Sequence, residues 1–228
     1  MGLSEAIMVA KGEGKIPVIA EIKARTPRDG DLLRGRDPVD LAEEMAAAGA
    51  AALSVVTEPK YFGGNLKTLR EVAESVDLPI LRKDFITTEE QVYESRESGA
   101  RALLLILSMT HHRIITGLDD LSKGLGMETV MEVHNAQEMR TVSRLNPRII
   151  GINNRDISRL ETDHGNVSKT ERLAPLAPDH VLLISESSIK TREEAKRAIA
   201  AGADAVLIGT ALMKAPNIKR KLQELMIP

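Results

Sequence analysis

Eight short apolar runs divide this 228-residue chain at fairly regular intervals, and they constrain its fold more than any other feature. Each run is seven residues long and rich in Val, Ile and Leu, which is the length of a strand and too short for a typical helix. Parallel strands that are covered on both faces have this continuous apolar character. The runs occupy residues 17–23, 51–57, 79–85, 101–107, 128–134, 148–154, 181–187 and 204–210.

Amphipathic stretches lie between the runs and predict helices over 37–50, 87–100, 110–126, 135–145 and 190–203. Pro38 stands near the start of the first stretch, where proline fits the first helical turn. Gly49, Gly99 and Gly202 come near the ends of three stretches, where a left-handed helix cap is expected. Strands that alternate with helices indicate an α/β protein with a parallel sheet.

Two parallel architectures compete, a closed (β/α)8 TIM barrel and an open doubly wound sheet. The even count of eight strands, the length of 228 residues and the absence of a G-x-G-x-x-G motif after the first run favour the barrel. No linker or shift of composition marks a second domain. We therefore predict one barrel domain over residues 1–228, in which 1–16 form a short segment before the first strand.

The composition excludes several classes of function. The chain has no cysteine, which removes disulfides, thiolate catalysis and cysteine metal sites. Its net charge is −2 with both signs interspersed, so nucleic acid is not the expected partner. The N-terminus has no sustained apolar run, which argues against a signal peptide or a membrane anchor and indicates a cytoplasmic location.

Polar side chains recur where the predicted strands end, and in a barrel the C-terminal ends of the strands form the active site. A single charged residue there usually does no more than face solvent at the rim of the barrel. Lysines and glutamates that converge from several strands must pair, and such pairs hold acids and bases with displaced pKa values. The set predicts a functional site made of Glu21, Lys23, Lys83, Glu132, His134, Asn153, Arg155 and Glu186.

Small residues follow the last two predicted strands, at Ser187-Ser188 and Gly209-Thr210. Backbone N–H groups in these two loops, together with helix N-termini, form the usual phosphate cradle of barrel enzymes. Ordinary helix caps use the same residue types. Because the signal occurs in both loops, the sequence favours a phosphate site.

Three features leave alternatives open or predict no site. Tyr61, Phe62 and Phe85 are three of only four aromatic residues, and they form either a wall for a planar ligand or local loop packing. The charged loop 24–37 is either a mobile lid or a solvated loop. His111 and His112 are sequence neighbours and lack metal-ligand spacing, as does every other histidine and carboxylate set, so no metal site is predicted.

Seven segments together resemble the indole-3-glycerol phosphate synthase family: PVIAEIKARTP, VVTEPKYFGGN, PILRKDFI, MEVHNAQEM, IGINNRDI, SESSI and AVLIGTALM. The resemblance runs from about residue 17 to the C-terminus. It implies a (β/α)8 barrel that closes the indole ring of 1-(2-carboxyphenylamino)-1-deoxyribulose 5-phosphate, with loss of carbon dioxide and water, in tryptophan biosynthesis. It implies neither a cofactor nor a metal.

The resemblance also implies roles for individual residues. Lys83 would be the general acid that protonates the substrate carbonyl, and Glu132 the base of the dehydration, with Glu21 as a second candidate. Lys23 would neutralise substrate charge, and its part in the dehydration stays open. The binding residues implied are Asn153, Glu186 and Arg155 for the substrate, Phe62 and Phe85 for its ring, and Ser187, Ser188, Gly209 and Thr210 for its phosphate.

The chain departs from the family pattern in three places: only 16 residues precede the first strand, the first loop reads RTPRDGD, and Ser188 replaces a glycine. Two alternatives remain at this stage. Phosphoribosylanthranilate isomerase shares the barrel and the phosphate site, but its family relies on a cysteine. The other alternative is a barrel that binds a phosphorylated ligand without turnover. Association with other enzymes of the tryptophan pathway is left open.

Overall fold

The eight apolar runs form a closed parallel barrel in the computed structural model, which describes residues 1–155 and 165–228. In the order in which they pair around the barrel, the strands are β1 (Val18–Ile22), β10 (Ala205–Ile208), β9 (Leu182–Glu186), β8 (Ile149–Asn153), β7 (Glu128–Val133), β6 (Ala102–Ile106), β5 (Ile80–Lys83) and β4 (Ala52–Val56). Strand β1 closes the ring by pairing with both β10 and β4. The (β/α)8 prediction is therefore confirmed.

All five predicted helices are present: α2 (Pro38–Ala47), α4 (Glu89–Glu97), α5 (His112–Gly124), α6 (Ala136–Ser143) and α8 (Arg192–Ala200). Local caps set their ends. Thr88 and Thr191 each form a capping box, which satisfies two backbone N–H groups at the helix start. Gly49, Gly99 and Gly202 have φ values of 98°, 86° and 112°, so the predicted left-handed caps are confirmed.

The described residues contain five further α-helices that were not predicted: α1 (Leu3–Gly12), α3 (Leu66–Ser75), α7 (Ser168–Leu173), α9 (Thr210–Met213) and α10 (Ile218–Leu225). Helix α1 accounts for most of the segment before the first strand. Its Leu3 and Ile7 lie one turn apart and pack against Ile19 and Ala52 near the N-terminal ends of the strands. Because each side chain is fully buried, this contact stabilises the fold by about 1.5–3 kcal/mol per residue. Helix α1 therefore closes the floor of the barrel.

The loop after β1 contains a small antiparallel ribbon of β2 (Arg25–Thr26) and β3 (Gly30–Asp31). No helix in the two described ranges is long and apolar enough to cross a membrane.

Side-chain alternation along the barrel strands places a charged layer above an apolar one. Successive residues of a strand point to opposite faces, so residues two apart share a face. Apolar side chains of the inner cluster are therefore followed two positions later by charged side chains on the same side. These pairs are Ile19 with Glu21, Leu81 with Lys83, Val130 with Glu132, and Ile184 with Glu186. The charges thus meet at the C-terminal end of the barrel, opposite α1.

Candidate active site

Lys83, at the end of β5, lies between two buried glutamates. Its Nζ is 3.1 Å from Oε2 of Glu132 and 3.0 Å from Oε2 of Glu186. Both glutamate side chains are fully buried, whereas 16% of the lysine side chain is exposed. Burial alone would lower the pKa of Lys83, but the charges of Glu132, Glu186 and Glu21 outweigh it and raise that pKa above its usual range. Lys83 is therefore a stable cation with one side open to solvent.

The two glutamates beside Lys83 have pKa values that are shifted in opposite directions. Burial raises the pKa of Glu132, but the charge of Lys83 and hydrogen bonding with His134 outweigh it and hold this pKa well below its usual range. For Glu186 burial dominates, and its pKa rises to about 7 in spite of Lys83. Two like groups whose environments separate their pKa values in this way are typical of an acid–base site.

His134 links Glu132 to the first turn of α6. Its Nε2 lies 3.1 Å from Oε1 of Glu132, and its Nδ1 lies 3.2 Å from Oε2 of Glu138. Burial lowers the pKa of His134, but the two carboxylates outweigh this effect and raise it to about 9. The sequence predicted His134 as part of the site, but it gave no sign that Glu138 completes a chain of three groups.

A second buried ion pair lies on β1 and just after it. Lys23 Nζ is 2.9 Å from Oε1 of Glu21, and both side chains are almost fully buried. The same Nζ lies 5.8 Å from the centre of the Phe62 ring, within the range of a weak cation–π contact. The sequence predicted that lysines and glutamates at the strand ends pair with one another, and Lys23 with Glu21 is one such pair.

Two glycines provide the space that the buried glutamates occupy. A Cβ atom on Gly151 of β8 would lie 1.9 Å from Oε1 of Glu186. A Cβ atom on Gly209 would lie 2.3 Å from Oε1 of Glu21. Neither position tolerates a side chain without movement of the glutamate next to it. Sequence reasoning named Gly209 for phosphate binding and missed Gly151.

Lys83, Glu132, Glu186, Glu21 and Lys23 together form what we call the ionised cluster.

Two adjoining cavities open beside the ionised cluster. The smaller has a volume of about 60 Å³, and its lining includes Phe62, Phe85, Lys83, Glu132 and Asn153. The larger has a volume of about 560 Å³ and lies over the loops after β9 and β10, where it is lined by Ser187, Ser188, Gly209 and Thr210. Both cavities are lined by Glu21, Lys23, Arg155 and Ser187.

Twelve of the thirteen residues predicted to catalyse or bind therefore line one connected space, and the thirteenth, Glu186, lies behind Lys83 and lines neither cavity. Glu186 contacts Lys83 instead of the open space. Asn153 also has an internal contact, because its Oδ1 accepts a hydrogen bond of 3.0 Å from the backbone N–H of Arg155.

The larger cavity carries cations that sequence reasoning missed, among them Arg28, Lys190 and Lys214. Asp29, at the turn of the β2–β3 ribbon, lies between two of them: its carboxylate is 2.8 Å from Arg28 and 2.9 Å from Lys214. The hydrogen bond from Arg28 is the main reason that the pKa of Asp29 falls to about 2. The sequence could have indicated Lys214, because this residue lies one helical turn after Thr210, which was predicted to bind phosphate.

The loop after β9 has an uncommon backbone. Ser187 and Ser188 have φ values of 66° and 61°, in the left-handed region that favours glycine. The replacement of a glycine by Ser188 therefore places a side chain on a backbone that glycine would adopt without strain. Ser188 Oγ accepts a hydrogen bond of 3.2 Å from Nε of Arg155, which connects the loop to the end of β8.

Within residues 1–155 and 165–228, no three His, Asp or Glu side chains are grouped as metal ligands would be. The charged groups at the strand ends are instead paired with one another. A closed (β/α)8 barrel with such a cluster at the C-terminal ends of its strands belongs to the class of barrel enzymes that work by acid–base chemistry.

Comparison with known proteins identifies the family within that class. Residues 2–225 match the family model described as indole-3-glycerol phosphate synthase. The chain belongs to the indole-3-glycerol phosphate synthase family.

Similar proteins that bear this name cover nearly the whole chain. The protein from Thermococcus kodakarensis is 45% identical over 224 residues, which are 98% of this chain and 96% of the relative. The protein from Pyrococcus furiosus is 47% identical over 216 residues, or 95% and 92% of the two chains. The protein from Pyrococcus abyssi is 45% identical over 209 residues, or 92% and 90%.

Proposed function

We propose that this protein closes the indole ring of 1-(2-carboxyphenylamino)-1-deoxyribulose 5-phosphate and releases indole-3-glycerol phosphate, carbon dioxide and water. The family it belongs to consists of decarboxylating lyases that act on a phosphorylated substrate in tryptophan biosynthesis. One observation carries the proposal for this chain: Lys83 is fixed by two buried glutamates and has its open side on the cavity that Phe62 and Phe85 line.

The two cavities suit the two ends of this substrate. The phosphate would bind in the larger cavity, where backbone N–H groups of Ser188, Gly209 and Thr210 are supplemented by nearby cations. The carboxyphenyl ring would lie between Phe62 and Phe85 in the smaller cavity. The ribulose carbons would then pass Glu21 and Lys23, which line both cavities, and reach Lys83 in the smaller one.

Ring closure needs a proton donor at the substrate carbonyl. As the ring carbon that bears the carboxylate attacks the carbonyl carbon, negative charge develops on the carbonyl oxygen. Lys83 would stabilise this charge and deliver a proton to it. An alkoxide is a strong base, so it can take a proton even from an ammonium group whose pKa is raised. Loss of carbon dioxide then returns its bonding electrons to the ring, which becomes aromatic again.

Glu186 has a different role from the substrate positioning that the resemblance implied. It is fully buried behind Lys83 and has a pKa of about 7, so at neutral pH it is close to half protonated. We assign it to hold the Lys83 ammonium in place and to share a proton with the amine after the transfer. Direct contact with the substrate is left to Asn153 and Arg155, which line the cavities.

Dehydration needs a base and an acid on the ring-closed intermediate. Glu132 is the candidate base, because it is ionised before the step and so can accept a proton, and because it lines the smaller cavity. Glu21 also lines both cavities but is held by Lys23 at 2.9 Å. Lys23 would offset the negative charge of the substrate and would protonate the leaving hydroxyl, so that water departs.

The direct test is to add the substrate to the purified protein and follow the fluorescence of the indole product. The chain has no tryptophan, so a new indole signal comes from product alone. We expect a steady rise with the wild-type protein. A folded wild-type protein that gives no rise would refute the proposed function and favour a barrel that binds a phosphorylated ligand without turnover.

The role of Lys83 is tested by Lys83→Ala, with Lys67→Ala as the matched control. Lys67 lies on α3 with 83% of its side chain exposed, so its loss should leave the rate unchanged. Lys83→Ala should lower kcat by about 10³-fold or more, since it removes the proton donor. The variant should still fold because Glu186 can take up a proton, which circular dichroism would check. A rate equal to that of the control would remove Lys83 from the mechanism.

A further inference from the structure

Glu132, His134 and Glu138 form a chain of close charged contacts that runs from the ionised cluster to the surface. The two oxygens of Glu132 are divided: Oε2 contacts Lys83, and Oε1 contacts Nε2 of His134. The other ring nitrogen contacts Glu138, which also accepts a hydrogen bond of 2.7 Å from the backbone N–H of His134. Exposure rises along the chain, from a fully buried Glu132 to a Glu138 side chain that is 18% exposed.

The two carboxylates beside His134 favour a positively charged ring with a proton on each nitrogen. A carboxylate only accepts hydrogen bonds, and a neutral imidazole has a single N–H donor. A neutral ring between two carboxylates would therefore direct a lone pair at one of them. The imidazolium form satisfies both contacts, at 3.1 Å and 3.2 Å.

Other charged groups near this chain come from several elements. Lys83 faces Glu132 from β5, and Glu186 reaches the same lysine from β9. Glu21 on β1 acts on Lys83 and Glu186 through its charge. Asn153 of β8 hydrogen bonds to Glu132 and carries no charge. Among these groups only Glu138 contacts the side of the His134 ring that points away from Glu132. It alone therefore holds the ring without contacting Lys83 or Glu132.

We propose that His134, as an imidazolium held by Glu138, is a positioning residue for Glu132 in the reaction. Its charged ring attracts Oε1 at 3.1 Å, so the carboxylate is kept in one orientation with Oε2 toward Lys83 and the substrate. Its charge also keeps Glu132 ionised, as a base must be before it accepts a proton. This inference rests on the proposed function, because it assigns Glu132 as the base of the dehydration.

A purely structural role for His134 predicts different behaviour. If the histidine only joined β7 to α6, its loss would lower stability and leave the pH dependence of turnover unchanged. If it positions Glu132, its loss must change kcat more than KM and must shift the acid limb of the pH profile. An opposite charge at this distance lowers the pKa of a carboxyl by about 1–3 units, so removal of the charge raises it.

The experiment compares His134→Gln, Glu138→Gln and a control, Glu171→Gln, in the indole fluorescence assay between pH 5 and 9. Glu171 lies on α7, where it forms an exposed ion pair with Arg197 of α8 and lines neither cavity, so the control should match the wild type. His134→Gln should lower kcat about 10–100-fold, change KM less than about threefold, and raise the pKa of Glu132 toward its usual range, so that an acid limb that the wild type lacks appears at the lower end of this window. Superimposable pH profiles for His134→Gln and the wild type would overturn the proposal.

Glu138→Gln separates charge from packing, because the amide keeps the shape of the side chain and removes the charge that stabilises the imidazolium. We expect this variant to work normally near pH 6 and to lose activity toward pH 8, where His134 is neutral and the wild type is still active. A loss that is equal at all pH values would contradict the proposal and favour a structural contact.

Nuclear magnetic resonance of the histidine rings tests the charge state without turnover. The signal of His134 is the one of five that disappears in His134→Gln. We expect both of its ring nitrogens to be protonated at pH 8. A neutral ring at pH 7 would overturn the proposal even if the protein is an active synthase. If the wild type showed no turnover but this ring were charged, the proposed function would be refuted, whereas the charged contacts among Glu132, His134 and Glu138 would be supported.

Discussion

The substitution Gly151→Ala tests whether the space around Glu186 controls catalysis. The new Cβ atom would lie 1.9 Å from Oε1 of Glu186 and 3.1 Å from Cγ1 of Val130. Non-bonded heavy atoms pack favourably at about 3.5–4.0 Å, so the carboxylate oxygen must move by roughly 1.6 Å. The contact of Glu186 with Lys83 is only 3.0 Å long, and a shift of this size breaks it.

The effect on stability is limited by the proton affinity of Glu186. An ionised carboxylate without its partner would cost several kcal/mol in the barrel interior. With a pKa of about 7, however, Glu186 takes up a proton at neutral pH for less than about 0.5 kcal/mol. Overpacking then dominates, and we expect the free energy of unfolding to fall by about 1–3 kcal/mol.

The effect on turnover should be larger, because Lys83 loses one of the two groups that hold it. A misplacement of a catalytic group by about 1 Å costs on the order of 10²-fold in rate, which is about 2.7 kcal/mol of transition-state stabilisation. The assay is indole fluorescence, with urea denaturation for stability. Gly117→Ala is the matched control, since nothing lies within 4 Å of its Cβ atom in α5 and the change should stabilise the helix by about 0.5–1 kcal/mol.

Two results would refute this reasoning. A kcat for Gly151→Ala within about threefold of the control would show that Lys83 does not depend on Glu186. A loss of stability above about 5 kcal/mol would show that Glu186 stays ionised instead of taking up a proton.

Three further predictions concern charge and backbone conformation. The pKa of His134 is raised from 6.5 to about 9 on folding, so its contribution to stability is complete below pH 6.5 and is lost as pH rises through 9. In thermal denaturation the wild type should therefore lose about 2–3 kcal/mol of stability across this window and His134→Gln should not, whereas the same pH dependence in both proteins would contradict the prediction. Asp29→Asn should tighten the binding of inorganic phosphate roughly fivefold, measured by calorimetry at low salt, because it removes a negative charge from the larger cavity. An unchanged Kd would show that Asp29 does not compete with phosphate for the cations of this cavity. Ser187→Gly should be more stable than Ser188→Gly by about 1 kcal/mol in urea denaturation. Both substitutions relieve the strain of a left-handed φ, but only Ser188→Gly also loses the hydrogen bond from Arg155, so equal stabilities would refute the prediction.

The barrel could be predicted from the sequence because buried parallel strands leave a strong local signal. Each strand lies within its predicted run, and the strand ends carried the charges that meet in the site. Helices α1 and α3 gave weaker signals. Helix α1 buries only a few apolar side chains, such as Leu3 and Ile7, and α3 buries only Leu69 and Val72, so neither has a long periodic pattern.

The details of the site depend on contacts between strands that no single segment encodes. Gly151 pairs with Glu132 on one side and with Ile184 on the other, and this register brings it beside Glu186. The position of Asp29 between Arg28 and Lys214 likewise joins residues that are 185 positions apart in the chain. The sequence could name the charged residues, but only the three-dimensional arrangement shows which of them pair.

The two glycines beside the buried glutamates have a consequence for how this sequence can evolve. Each glutamate projects into a volume that the neighbouring strand, or the loop that follows it, leaves empty: Glu186 above Gly151, and Glu21 above Gly209. A mutation of either glycine is harmful while the glutamate is present, and it becomes tolerable once the glutamate is replaced by a smaller residue. Related barrels that have abandoned this chemistry should therefore have changed both members of a pair. The joint loss of Gly151 and Glu186 would mark such a descendant from its sequence alone.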